Sequence, residues 1–359
     1  MKRILIVSTS IPASVSAMEP VHVGGAELVA WKVATGLLSR FEVHVLTTGE
    51  RRLDENKHGM MIHYVPHHRP LALYYSTLGK KYIDEIFSRY NFDLISIHLV
   101  MPWGYILRNY PGKKVLTDMG MRFYVEKRNL LSVQWDKYKT RAAFNKASAI
   151  TTVSRKFGEV IKRDFGVRTQ YIPIAVDLER FSVDNSNERS NIILFMGRYV
   201  ELKGIRYLLE AAKQLPMYEF WFTGKGPMEG LIQGDNVKNL GYVEKPEDMV
   251  KQATICIFPS LVEYAPLVGL EAMASGKAVI ATNTGFLEYM EHAKDGFIIE
   301  TGSVDAIVNA INYLMGNKEL RSMMGSNARK KAEQYSWDII CKQYAELFQK
   351  VIDGGNFIK

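Results

Sequence analysis

The chain has 359 residues, 47% of them hydrophobic, with 46 Lys and Arg against 38 Asp and Glu. That length suits two domains of ordinary size, and the apolar fraction excludes a disordered chain. Two cysteines, Cys256 and Cys341, exclude a disulfide framework and a cysteine metal site, and place the protein in a reducing compartment.

Strand and helix patterns alternate throughout, as doubly wound α/β domains require. The opening M-K-R-I-L-I-V-S has an apolar run, Ile4 to Val7, too short for a secretory leader, and reads as a buried first strand over 3–8. A helix over 25–39, strands over 43–47 and 60–65, a long helix over 71–90 and a strand over 94–98 follow. Next come a strand at 115–117, a basic amphipathic helix over 126–147, a strand over 149–153, a helix over 154–165 and a short strand at 171–172. Residues 178–191 are polar and aperiodic, so they read as a linker between a domain over 1–177 and a second over 192–336. The pattern restarts with a strand over 192–196, a helix over 204–214 and strands over 219–223 and 237–240. The segment 255–284, a strand over 296–299, a helix over 304–314 and terminal helices over 318–335 and 337–352 complete it. No apolar stretch is long enough to span a bilayer, so a soluble protein is expected.

Charge divides unevenly: residues 1–180 carry 27 Lys and Arg against 16 Asp and Glu, net +11, and the remaining 179 carry 19 against 22, net −3. A basic first half implies an anionic partner such as a phospholipid surface, a polyprenyl phosphate or an acidic polysaccharide. An ordinary excess of solvated lysines explains it equally well. The same two readings apply to 126–146, where basic and apolar residues interleave.

The chemistry concentrates at strand ends. After the strand at 192–196, G-R-Y-V-E-L-K-G places Arg198 at the strand end and Lys203 just before a helix, two cations suited to a diphosphate. In H-V-G-G-A-E, Gly24 and Gly25 open a helix where backbone N–H groups can approach a phosphate. The turn F-T-G-K-G-P carries Gly224 and Gly226, and with Gly230 and Glu244 imitates a dinucleotide-binding fingerprint. Its spacing is one residue off and leaves little room for a crossover helix, so it reads as a base-binding turn and not as a dehydrogenase site.

In I-C-I-F-P-S-L-V-E-Y-A-P-L-V-G-L-E-A-M-A-S-G-K-A-V, Glu263 lies on a loop and Glu271 inside a helix that Pro266 opens and Gly276 closes. A carboxylate on a small, apolar packed helix needs a partner, and a ligand supplies one. Orphan N–H groups at Ala265, Leu267 and Val268 fall between the two acids.

Together these motifs resemble the family 4 retaining glycosyltransferases. G-R-Y-V-E-L-K-G resembles G-R-x4-K-G, F-T-G-K-G-P resembles G-x-G-P, and the Pro259–Val279 run resembles the family's E-x7-E helix; G-G-A-E, T-V-S and V-D-L-E-R-F in the first half also match. The resemblance implies a GT-B fold: two facing Rossmann-like domains with a central cleft, and a helix over 337–359 crossing back to the first domain. It implies that Arg198, Lys203 and the Gly24–Gly25 backbone bind the donor diphosphate. Glu271 would hold the ribose, Glu263 with Ala265, Leu267 and Val268 the transferred sugar, and Gly224 with 241–243 the base. Where the family carries T-x-H at a first-domain strand end, this chain reads Thr117-Asp118-Met119, so Asp118 and Met119 become the sugar contacts.

The expected activity is transfer of a hexose-type sugar, with retention, from a nucleotide-diphosphate sugar to an acceptor hydroxyl on a glycolipid, lipid-linked or polysaccharide precursor. No D-x-D occurs, so no cofactor and no metal are expected; the cations and the helix N-terminus would carry the leaving-group charge. The expected setting is the cytoplasm, with the inner membrane face as a site of peripheral contact, and no nucleic acid. A GT-B epimerase, a phosphorylase and a degenerate nucleotide-sugar-binding protein are the alternatives.

Overall fold

The computed structural model describes residues 1–10, 25–68, 71–121, 129–184, 186 and 189–358. Internal contacts divide the chain into two units, Met1–Pro173 with Trp337–Lys359, and Ile174–Ser336.

The first unit holds β1 (Arg3–Val7), α1 (Gly25–Gly36), β2 (Glu42–Gly49), β3 (Leu53–Lys57), β4 (Met60–Pro66), α2 (Leu71–Tyr75), α3 (Lys80–Arg89) and β5 (Leu94–His98). An irregular helical turn (Val100–Gly104), α4 (Tyr105–Leu107), β6 (Lys113–Asp118), α5 (Leu130–Phe144), β7 (Ala149–Thr152), α6 (Arg155–Phe165) and β8 (Gln170–Tyr171) follow. Its sheet runs β3-β4-β2-β1-β5-β6-β7-β8, parallel except for β3. β1, with Ile4 to Val7 all buried, lies at the reversal of strand order.

The second unit holds β9 (Ile192–Met196), α7 (Ile205–Gln214), β10 (Glu219–Thr223), β11 (Val237–Gly241), α8 (Pro246–Gln252) and β12 (Ile255–Phe258). Then come α9 (Leu267–Ala274), β13 (Ala278–Thr282), β14 (Phe297–Ile299), α10 (Val304–Met315) and α11 (Lys318–Ala332). All six strands are parallel, in the order β11-β10-β9-β12-β13-β14. Near-continuous apolar strands such as I-I-L-F-M at β9 are what a sheet covered on both faces demands.

The last helix, α12 (Trp337–Ile352), belongs to the first unit. Its buried residues Ile340, Cys341, Tyr344, Phe348 and Val351 form one helical face. Cys341 fits where α1 has only Gly36, whose absent Cβ would sit 2.4 Å from the thiol sulfur. Phe348 meets Phe41 edge to face at 6.4 Å.

Departures from the sequence pattern have local causes. The helix expected over 71–90 is two, because Thr77 bonds back to the Leu73 carbonyl (2.8 Å) and Gly79 to that of Tyr74 (2.8 Å), closing the first helix early. β3, L-D-E-N-K, has no apolar alternation; it is an antiparallel edge strand turned back by His58-Gly59, with φ of 53° and 78° as a two-residue hairpin turn requires. α8 is a short helix with Pro246 in its first turn and Glu247 and Asp248 beside it.

The polar stretch 178–191 is anchored in the second unit at its start. Phe181 is buried, and Arg329 Nη1 donates to the carbonyls of Leu178 (3.3 Å), Phe181 (3.1 Å) and Ala274 (2.7 Å). No described helix is long and apolar enough to cross a membrane.

Candidate active site

In an open parallel sheet, ligands bind beyond the carboxyl ends of the strands where strand order reverses. In the second unit that point lies between β9 and β12. The loops leaving these strands carry Arg198 and Lys203 on one side and Glu263 on the other.

Backbone bonds hold those loops in place. Gly197 N–H donates to Thr223 O (3.0 Å), Tyr199 N–H to Lys225 O (2.9 Å), Met228 N–H to Tyr199 O (3.0 Å) and Gly224 N–H to Gly241 O (2.8 Å). This stitching needs Gly224: its φ is 148°, and a Cβ there would stand 1.8 Å from the Gly197 carbonyl oxygen. Tyr199 is buried and its hydroxyl donates to Asn239 Oδ1 (3.0 Å), whereas its neighbour Arg198 is exposed. No ion pair links Arg198 to another described residue, which leaves its guanidinium open to an anion.

Across the switch point Leu261 N–H donates to Leu202 O (2.8 Å). Gly204, at φ 69°, allows the approach; a Cβ would lie 1.9 Å from Pro259 O. The consequence is an ion pair between Lys203 Nζ and Glu263 Oε1, with side chains 17 and 15% exposed. Two residues read as serving different parts of a donor are therefore held together.

α9 begins at Leu267, with Pro266 in the cap position and not in the helix; no side chain caps it. The hydroxyl of Tyr289 donates to Pro266 O (2.6 Å), fixing the entry. The N–H groups of Leu267 and Val268 belong to this uncapped first turn, beside half-buried Ala265. One turn on, half-buried Glu271 receives no hydrogen bond on its carboxylate from a described residue. Burial pushes that carboxyl up to about 7, Arg180 opposing and Glu247 adding to the rise. Arg180 is itself held by Glu247 (Nε to Oε2, 2.9 Å) and the Glu244 carbonyl (3.1 Å). Arg180 lies in V-D-L-E-R-F, where the motif alone gives it no role; in the fold its charge counters the rise at the half-buried Glu271 carboxyl.

In the first unit Asp118 ends β6, 2% exposed, with Gly120 N–H at 3.3 Å. Burial pushes its carboxyl up to about 7 against that bond. Met119 beside it is half-buried, and exposed Gly25 is the first residue of α1; Gly24 lies outside the described residues.

A switch point lined by an unpaired guanidinium, a lysine–glutamate pair, an uncapped helix start and a half-buried carboxyl can hold a diphosphate and hydroxyl groups together. The model of the glycosyl transferases group 1 matches residues 177–331, and that of glycosyltransferase family 4 matches 23–180. An uncharacterized glycosyltransferase of Methanocaldococcus jannaschii, MJ1178, is 25% identical over 88% of this chain and 92% of its own length. Three further relatives match over 19, 47 and 44% of their own lengths. Among solved structures, sucrose-phosphate synthase of Thermosynechococcus elongatus superposes with a TM-score of 0.85 at 20% identity, covering 99% of this chain and all of that one. HepE of Anabaena, in complex with UDP and glucose, gives 0.74 at 19% identity over 97 and 99% of the two chains.

Proposed function

Because the chain belongs to the family 4 glycosyltransferases, with the GT-B fold, we propose that it moves a hexose-type sugar, with retention, from a nucleotide-diphosphate sugar to an acceptor hydroxyl. The observation that carries this reading is the set of groups at the β9–β12 switch point. Arg198 and Lys203 take the diphosphate, and the first-turn N–H groups of α9 add to the charge they stabilise as the leaving group departs. A preorganised donor of this kind contributes roughly 3–4 kcal/mol to the transition state.

Glu271 accepts from the ribose hydroxyls, and the Gly224 turn takes the base. Glu263, with Ala265, Leu267 and Val268, orients the sugar and holds Lys203 until the diphosphate arrives. Asp118 and Met119 contact the sugar, and Gly24–Gly25 the phosphate. The acceptor hydroxyl attacks on the face the diphosphate leaves, and a phosphate oxygen takes its proton. With cations in place of a D-x-D pair, turnover is expected without a divalent metal. HepE, which binds UDP, supports a nucleotide partner. Cytoplasmic placement at the inner membrane face suits a lipid-linked acceptor.

The test is nucleotide-diphosphate release over a donor panel, with and without chelator. Sugar transfer that survives chelator supports the proposal. Donor isomerisation without acceptor, dependence on inorganic phosphate, or nucleotide binding with no turnover on any donor would each replace it.

A further inference from the structure

Helix α5 presents its apolar row to solvent. Leu131, Trp135 and Tyr138 fall at i, i+4 and i+7, the spacing that ordinarily faces a core, yet they are 84, 57 and 57% exposed, and adjoining Leu130 is 79% exposed. The opposite side holds the helix in its unit through buried Thr140, Ala143 and Phe144, with Phe144 edge to face on Phe165. The outward rings are ordered among themselves. Trp135 and Tyr138 stack with centroids 5.4 Å apart, and the Lys139 ammonium lies 5.5 Å from the indole.

Basic residues surround the row: Lys137, Lys139 and Arg141 on the helix and Lys146 just after it, against Asp136 as the helix's one acid. Part of this charge is met locally, by Asp136 on Lys139 (3.0 Å) and Asp164 on Lys137 (3.5 Å). The unit as a whole keeps a large excess: 29 Lys and Arg against 17 Asp and Glu, net +12, while Ile174–Ser336 carries 17 against 21, net −4.

Leucine, tryptophan and tyrosine in a row, framed by lysine and arginine, is the make-up of a helix lying in a bilayer interface. The rings sit at headgroup level, and each cation near an anionic leaflet adds roughly fivefold in affinity. A second copy of the chain or an apolar protein face would also cover the row, but neither accounts for net +12 on the unit bearing it. We propose that α5 docks the first unit on an anionic phospholipid surface, inserting Leu130, Leu131, Trp135 and Tyr138. With so few inserted side chains the attachment is reversible and depends on salt.

The test is co-sedimentation of the full chain with vesicles of phosphatidylcholine alone or mixed with phosphatidylglycerol, at low and high salt. Binding is expected on the mixed vesicles only, falling roughly tenfold at high salt and as far in the double variant Leu131→Ser with Trp135→Ser. Brominated acyl chains should quench tryptophan emission, and Trp135→Phe should lose that quenching while it still binds. Equal sedimentation with both vesicle types, no binding at low salt, full binding by the double variant, or self-association that the double variant abolishes would each overturn the proposal. Nucleotide-diphosphate release without vesicles, unchanged in these variants, reads the transferase proposal separately.

Discussion

At the scale of single residues the candidate site is built from charges with incomplete partners. Arg198→Ala and Lys203→Ala are each expected to lower turnover about 100-fold or more; losses within threefold in steady-state nucleotide-diphosphate release would remove both from the leaving-group role. Glu271→Gln should raise the donor KM about tenfold, the loss of one hydrogen bond to a charged acceptor, with a smaller effect on kcat. Motif spacing made these residues visible because each needs a fixed place in the chain beside a strand end or helix start. The Lys203–Glu263 ion pair and the position of Arg180 near Glu271 were not visible, since 60 and 91 residues separate the partners and only the folded sheet joins them.

Among elements, the parallel strands were legible from their apolar runs, and the exceptions have local causes. β3 is paired by a turn and not by burial of its own side chains, and the early end of α2 comes from a threonine bonding to its own helix. Both are decided by hydrogen bonds that hydropathy does not record. The loops at the switch point depend on missing side chains. Gly204→Ala or Gly224→Ala would push a Cβ into a carbonyl at positive φ, so either should lower the second unit's stability by about 2–4 kcal/mol in urea melts. Arg329→Ala should cost about 2 kcal/mol by leaving three carbonyls unmet, and should expose 178–184 to limited proteolysis, a stretch whose composition alone reads as a free linker.

For the whole molecule, each unit contains a carboxyl raised to about 7, buried Asp118 in one and half-buried Glu271 in the other. An unfolded chain releases these protons near pH 4, so between about pH 4 and 7 the native state holds more of them and their contribution to stability declines as pH rises, levelling above 7. Buried His63 and His98, held down to about 4 and 3 by burial, act in the opposite sense below about pH 6.5. The carboxyls are therefore isolated by difference: Glu271→Gln and Asp118→Asn should each gain on the wild type between pH 5 and 8, by up to about 2 kcal/mol in urea melts. The return of α12 has a further consequence, for the order of synthesis. All of Ile174–Ser336 is translated before the helix at 337–352 that completes the first unit's packing. A nascent chain halted after Ser336 should then carry a protease-resistant second unit and an unfinished first one, reversing the usual precedence of the amino-terminal domain on the ribosome.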